Sequence, residues 1–250
     1  MNIYQQILQK KSERQKQFAI LIDPDKINNE QIERLCREAT ENGVDFIFVG
    51  GSLLTNNSLS NCVRRIKYAC QIPVVLFPGN GNQLDEQADA LLFLSLISGR
   101  NADLLIGKHV DSAPIIREKQ LEAISTGYML IESGNITTAL YMSNTSPIPA
   151  DKPDIAACTA MAGEMLGLKM IFMDGGSGAK NPISEEMIAA VRKSIQIPLI
   201  VGGGIRTPEK AAANCKAGAD MIVIGNSLEQ NPGLLKEMAE AIKKSAVIAG

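Results

Sequence analysis

The run Pro198-Leu199-Ile200-Val201-Gly202-Gly203-Gly204-Ile205-Arg206-Thr207-Pro208 restricts the fold more than any other stretch of the chain. Leu199 to Val201 is an apolar run of the kind that forms a strand buried on both faces. Three glycines end it, and Thr207-Pro208-Glu209 opens a helix. Thr207 suits the N-cap, Pro208 the first turn and Glu209 the positive end of the helix dipole. Glycines also let backbone N–H groups close on an oxyanion. Further on, Met221-Ile222-Val223-Ile224 repeats the pattern and closes in Gly225-Asn226. Two successive strand-to-glycine turns near the end of a chain match the phosphate site after strands seven and eight of a (β/α)8 barrel. The plainer alternative is that the glycines only make tight turns.

The same alternation runs along the whole sequence. Residues 1–17 read as a lead-in helix with Ile3, Ile7 and Leu8 on one face. Apolar runs predict strands at Phe18–Ile22, Asp45–Val49, Pro73–Phe77, Ala90–Leu94, Thr126–Ile131, Lys169–Met173, Leu199–Val201 and Met221–Ile224. Helices are expected at Asn28–Asn42, Ser58–Cys70, Asp154–Leu166, Ser184–Ser194 and Pro232–Lys244. After strand four a helix should run from Asn101 towards Val110, break at Pro114 and resume to Gln120. Ile136 to Tyr141 reads as a short extra strand. Between strands three and four too few residues remain for a full crossover helix, so the wall should be thin or open there. The expectation is α/β: a single (β/α)8 TIM barrel over residues 1–250, one phosphate-binding domain with its third helix missing or much shortened. A doubly wound sheet fits less well, because its phosphate glycines follow the first strand.

A net charge of −2 gives no general attraction to nucleic acid. No run has the length of a membrane span, and the polar start carries no signal-peptide pattern, so a cytoplasmic protein is expected. The five cysteines lack metal-ligand spacing and should be reduced, half-buried thiols. His109 is the only histidine, follows Gly107-Lys108 and reads as a solvated side chain.

The carboxyl ends of the strands carry the polar residues that could do chemistry: Asp23, Asp25, Ser52, Asn80, Asp174 and Ser177. Asp23 and Ser52 offer hard oxygens that suit Mg²⁺ held partly by substrate phosphates. Asp174 falls between them and the glycines, placed to bind or deprotonate a hydroxyl. Both acids could instead be ordinary turn residues.

Taken in order, Leu21-Ile22-Asp23-Pro24-Asp25-Lys26, Phe48-Val49-Gly50-Gly51-Ser52, Pro73-Val74-Val75-Leu76-Phe77-Pro78-Gly79, Asp174-Gly175-Gly176-Ser177-Gly178-Ala179, Val201-Gly202-Gly203-Gly204-Ile205-Arg206 and Gly225-Asn226 carry a resemblance. The sequence resembles the geranylgeranylglyceryl phosphate synthase family, of group II type and related to heptaprenylglyceryl phosphate synthase. The resemblance implies an Mg²⁺-dependent prenyltransferase of phospholipid biosynthesis. Geranylgeranyl diphosphate would alkylate the 3-hydroxyl of sn-glycerol 1-phosphate, releasing diphosphate. It implies Asp23 and Ser52 as Mg²⁺ positions. Glycerol phosphate would lie against Ile171, Phe172, Met173, Asp174, Gly175, Gly176, Ser177, Gly203, Gly204, Gly225 and Asn226. Asp174 would be the catalytic base. Many members carry Tyr-Leu-Glu where this chain has Phe172-Met173-Asp174, so the carboxylate is one methylene shorter and a tyrosine hydroxyl is lost. The family also lacks a normal third helix, an opening through which a prenyl chain could enter a groove lined by Leu92 and Leu94. It further implies a homo-oligomer, a dimer or a hexamer of dimers, with Tyr141 as an aromatic anchor. The alternatives are heptaprenyl transfer, another phosphate-barrel isomerase or synthase, and a non-catalytic phosphate-binding barrel.

Overall fold

Side chains alternate in and out along every strand, and that period sorts the apolar residues into two layers. In the computed structural model, which describes residues 1–225 and 233–245, the strands are β1 (Gln17–Ile22), β2 (Phe46–Val49), β3 (Val74–Leu76) and β4 (Ala90–Leu96). They continue as β5 (Glu122–Leu130), β6 (Met170–Asp174), β7 (Leu199–Gly202) and β8 (Met221–Ile224). All are parallel, and β8 pairs with β1 to close the barrel, Val223 opposite Ala19. Phe46, Phe48, Leu92, Phe172 and Val223 fill the interior, while Ile47, Val49, Ile171 and Met173 pack outward under the helices. Burial on both faces explains why the strands read as unbroken apolar runs.

Helix α1 (Ile3–Ser12) plugs the amino-terminal end of the barrel with Ile3 and Ile7. The Glu122 carboxylate accepts from the backbone N–H of Ile3 and Tyr4, at 2.6 and 2.9 Å. Helix α2 (Asn29–Glu41) starts in a capping box between Asn28 and Gln31. Helix α3 (Leu59–Ala69) precedes β3, and none joins β3 to β4. The connection makes only turns, tied by Asp89, whose carboxylate takes the Val74 N–H and pairs with Lys67 at 2.7 Å. The expected gap in the wall is there.

Three sequence expectations need correction. A π-helical turn (Asp103–Gly107) leads into α4 (Lys108–Glu118), and α4 runs straight through Pro114. The carbonyl that Pro114 leaves unpaired belongs to Val110, which is 65% exposed and can bond water instead. Ile136 to Tyr141 is no strand: Thr137 caps helix α5 (Thr138–Ser143). Strand β5 starts at Glu122 rather than Thr126, because β4 offers a ladder partner to each added residue. Helices α6 (Pro153–Met165), α7 (Glu185–Ser194), α8 (Pro208–Ala217) and α9 (Leu234–Lys244) follow; Pro232, the expected start of the last, lies outside the described residues. Thr207 caps α8 with Pro208 in its first turn. Among the described residues no helix is long and apolar enough to cross a membrane.

Candidate active site

The inward positions of β1 are Ala19 and Leu21, so continuing the period brings Asp23 to the mouth of the barrel. Its carboxylate accepts from the Asp25 N–H at 3.1 Å and pairs with Lys26 at 2.7 Å. The end of β2 comes alongside: a Cβ on Gly51 would stand 3.5 Å from Asp23 Oδ1, and Ser52 follows. Asp25 turns away to hold the loop after Ser52. It accepts from the Ser58 hydroxyl at 2.7 Å and the Thr55 N–H at 2.6 Å, which hold its pKa down at about 2. Asp25 is thus a structural anion, whereas Asp23 stands at the mouth with the half-exposed Lys26 as its partner. Among the described residues no three His, Cys, Asp or Glu side chains form a metal cluster. Asp23 and Ser52 offer oxygen donors of the kind that would suit a hard cation completing its shell with water and phosphate oxygens.

Asp174 shares the inward face of β6 with Met170 and Phe172 and is buried. One oxygen accepts from the Tyr128 hydroxyl at 2.6 Å, the other from the Gly176 N–H at 2.7 Å. Burial raises its pKa above the usual carboxylate value, and these two donors oppose that rise. Gly203, with φ of +82°, closes the other side: a Cβ there would lie 2.5 Å from Gly175 N and 2.8 Å from Asp174 Oδ1. Only glycine permits both that backbone and that approach. Among the described residues the N–H groups of Gly203 and Gly204 donate to no carbonyl, which leaves them available to an anion.

A cavity of about 280 Å³ opens where the third crossover helix is missing. Leu92, Leu94 and Leu104 line it, Ser52 and Asn80 stand at one edge, and Tyr128 lies in its wall. The Phe77 ring stacks on Phe172 at 5.3 Å and meets Tyr128 edge-on at 5.7 Å. One tyrosine therefore joins an apolar groove to the buried carboxylate.

His109 corrects its sequence reading. It is buried, 8% exposed, in the wall of this cavity, edge-on to Phe93 at 4.4 Å. Burial lowers its pKa, which favours the neutral imidazole. The cysteines differ too: all five are free, but only Cys158 is exposed, and the other four are buried rather than half-buried.

The structure brings together Asp174, Gly175, Gly176, Gly203 and Gly204, with Phe172 beneath them. Ser177 is exposed at the edge of the same turn, and Gly225 lies beside Leu21 at the end of β8. Ile171 and Met173 face the outer layer, which leaves only their backbone for a ligand. Asn226 lies outside the described residues. Tyr128 was missed by sequence reasoning. The register that pairs Tyr128 with Phe172 and Leu130 with Asp174 brings the Tyr128 hydroxyl to the Asp174 carboxylate.

The chain matches the PcrB family over residues 9–246. It is 56% identical to a geranylgeranylglyceryl phosphate synthase of Chitinophaga pinensis, over 98% of each chain. It is 40% identical to one of Korarchaeum cryptofilum, over 90% of this chain and 94% of that one. The fold superposes on (S)-3-O-geranylgeranylglyceryl phosphate synthase from Thermoplasma acidophilum, solved with its substrate sn-glycerol-1-phosphate. There the TM-score is 0.92 and the identity 31%, with 98% of this chain and 99% of that one covered. These matches run nearly end to end, and the chain belongs to the PcrB family, alongside the geranylgeranylglyceryl phosphate synthases.

Proposed function

We propose that this chain transfers a geranylgeranyl group from its diphosphate to the 3-hydroxyl of sn-glycerol 1-phosphate. The observation that carries the reading is the placement of Asp174. Its carboxylate touches Tyr128, in the wall of the apolar groove, and borders Gly203, whose N–H is available to a phosphate. Prenyl chain and glycerol phosphate would meet at one carboxylate. Incubating the protein with labelled sn-glycerol 1-phosphate and geranylgeranyl diphosphate should give a solvent-extractable ether and one diphosphate per ether. No ether from folded protein would refute the reading.

In the proposed reaction the allylic C–O bond breaks with its electron pair leaving on diphosphate. The glycerol oxygen bonds to the allylic carbon, and its proton passes to Asp174. Holding both substrates converts an encounter into a near-unimolecular step. The aromatic cluster of Phe77, Phe172 and Tyr128 would shield the allylic carbon from water. Asp23 and Ser52 would hold Mg²⁺, which when bound would neutralise charge on the departing diphosphate. The free cysteines suit a reducing, cytoplasmic compartment.

Two variants test the geometry. Tyr128→Phe removes a donor that holds the Asp174 pKa down, so the acid limb of the kcat profile should move to higher pH. An unmoved limb would show that the hydrogen bond does not tune the base. Gly203→Val should raise the glycerol-phosphate KM and also lower kcat, because its side chain meets both Gly175 and Asp174. An unchanged KM in folded protein would make the glycines mere turns.

A homo-oligomer belongs to the same proposal. Tyr141 is 77% exposed beside Met142 at 47%, which excludes a core role and suits an interface. Tyr141→Ala should reduce the assembled mass in light scattering, and a monomeric parent would contradict it.

A further inference from the structure

Diphosphate is more highly charged than one divalent cation can balance, and the two edges of the barrel mouth are unequal in cations. Near β1, Lys26 stands on the edge assigned to the metal, 2.7 Å from the Asp23 carboxylate. Across the barrel, Arg206 is turned back onto the carbonyls of Ala179 and Lys180, at 2.5 and 3.0 Å. The residues lining the groove include no carboxylate and one cationic side chain, Lys108. Among the described residues no ion pair engages Lys108. It is exposed, as are the acids Asp103, whose carboxylate lies against Gly107, and Asp111, one turn on.

A continuous series of contacts links Lys108 to the Asp23–Ser52 edge. Gly79 lies so close to the end of β2 that a Cβ there would overlap the Gly51 carbonyl oxygen and stand 2.8 Å from Ser52 Cα. Gln83 locks that approach, donating to the Gly51 carbonyl at 3.1 Å and accepting from the Gly79 N–H at 3.0 Å. Two residues beyond Gly79, a Cβ on Gly81 would come 2.5 Å from Ser112 Oγ, which itself donates to the Lys108 carbonyl at 2.8 Å. The missing crossover helix is what lets α4 lie against this turn. The π-helical turn ending at Gly107 re-aims the residues that follow it, a device common at functional sites.

We infer that Lys108 binds the diphosphate of the prenyl substrate at the groove that Ser52 also lines. The inference rests on the proposed reaction and adds a binding residue to it. An ammonium at the mouth of an apolar groove acts through lower dielectric than bulk water, which strengthens its hold on an anion. It also stabilises the diphosphate as negative charge develops on the leaving oxygen. Lysine does this as a point charge, with no demand for bidentate geometry.

The test pairs steady-state kinetics with calorimetric binding of inorganic diphosphate, in the presence of Mg²⁺, to the parent, Lys108→Gln and Lys108→Arg. Lys108→Gln should raise the geranylgeranyl diphosphate KM and weaken diphosphate binding about tenfold or more, as for loss of a charge-assisted hydrogen bond. The glycerol-phosphate KM should stay within about twofold, since the phosphate glycines are unaltered. Lys108→Arg should restore most of the loss, which a merely structural residue would not require. A Lys108→Gln protein that forms ether and binds diphosphate like the parent overturns the role of Lys108 and leaves the reaction standing. A parent that forms no ether, yet binds diphosphate through Lys108, supports the site and overturns the reaction.

Discussion

Asp174→Asn is expected to keep glycerol phosphate bound and to lower kcat. The amide is the same size, and its oxygen still accepts the Gly176 N–H that the carboxylate takes at 2.7 Å. The loop that carries the phosphate glycines therefore keeps its anchor. What disappears is the group that receives the hydroxyl proton. Removing a general base costs about 10²–10⁴-fold. The low end applies here, because cleavage of the allylic bond supplies much of the driving force. Asp174→Glu retains more activity than Asn, since it keeps a carboxylate. Its extra methylene must fit between Tyr128 and Gly203, so the parent rate is not recovered. Burial raises the Asp174 pKa, so the parent's rate should decline on acidification before an ordinary carboxylate would protonate. Single-turnover prenyl transfer at saturating glycerol phosphate measures all three proteins. An Asn variant at the parent rate would leave the departing diphosphate as the base.

Asp23→Asn is expected to lose most activity while the fold survives. The amide oxygen can still accept the Asp25 N–H, and Asp25 independently holds the loop from Thr55 to Ser58. A neutral amide is a much weaker ligand for a hard cation than a carboxylate. Even an outer-shell partner of a metal is worth about 10–100-fold, so a direct ligand should cost at least that. The loss should be greatest at limiting Mg²⁺ and shrink as Mg²⁺ is raised. An unchanged melting temperature with that Mg²⁺-dependent loss supports the role. Unchanged turnover at limiting Mg²⁺ contradicts it.

What the sequence disclosed follows from how local each signal is. The strands of a closed barrel are buried on both faces, so apolar runs marked all eight within a few residues. The short connection after β3 was a matter of counting, and it foretold the open wall where the groove lies. Asp23 and Asp174 could be placed at the rim because strand ends carry the chemistry in this architecture. Tyr128 could not be found that way. It lies within an apolar run, and its meaning comes from the β5–β6 register, which is a relation between strands. His109 was misjudged for a similar reason. Its burial depends on the π-helical turn that sets the rotation of α4 and on the absent helix that lets α4 approach β4. Asp23 and Asp25 look alike in Asp-Pro-Asp, and only the loop seated on Asp25 tells the structural acid from the one at the mouth. Pro114 shows that one breaker yields when its unpaired carbonyl faces water.

Groove and phosphate grip, as two ends of one proposed site, would join a C20 chain to glycerol phosphate. The most direct measurement offers the purified protein labelled sn-glycerol 1-phosphate with C15, C20 and C35 prenyl diphosphates in competition, and separates the extracted ethers by chain length. The C20 ether should dominate, with one diphosphate released per ether. A dominant C35 ether, or none from any of the three, would contradict that proposal.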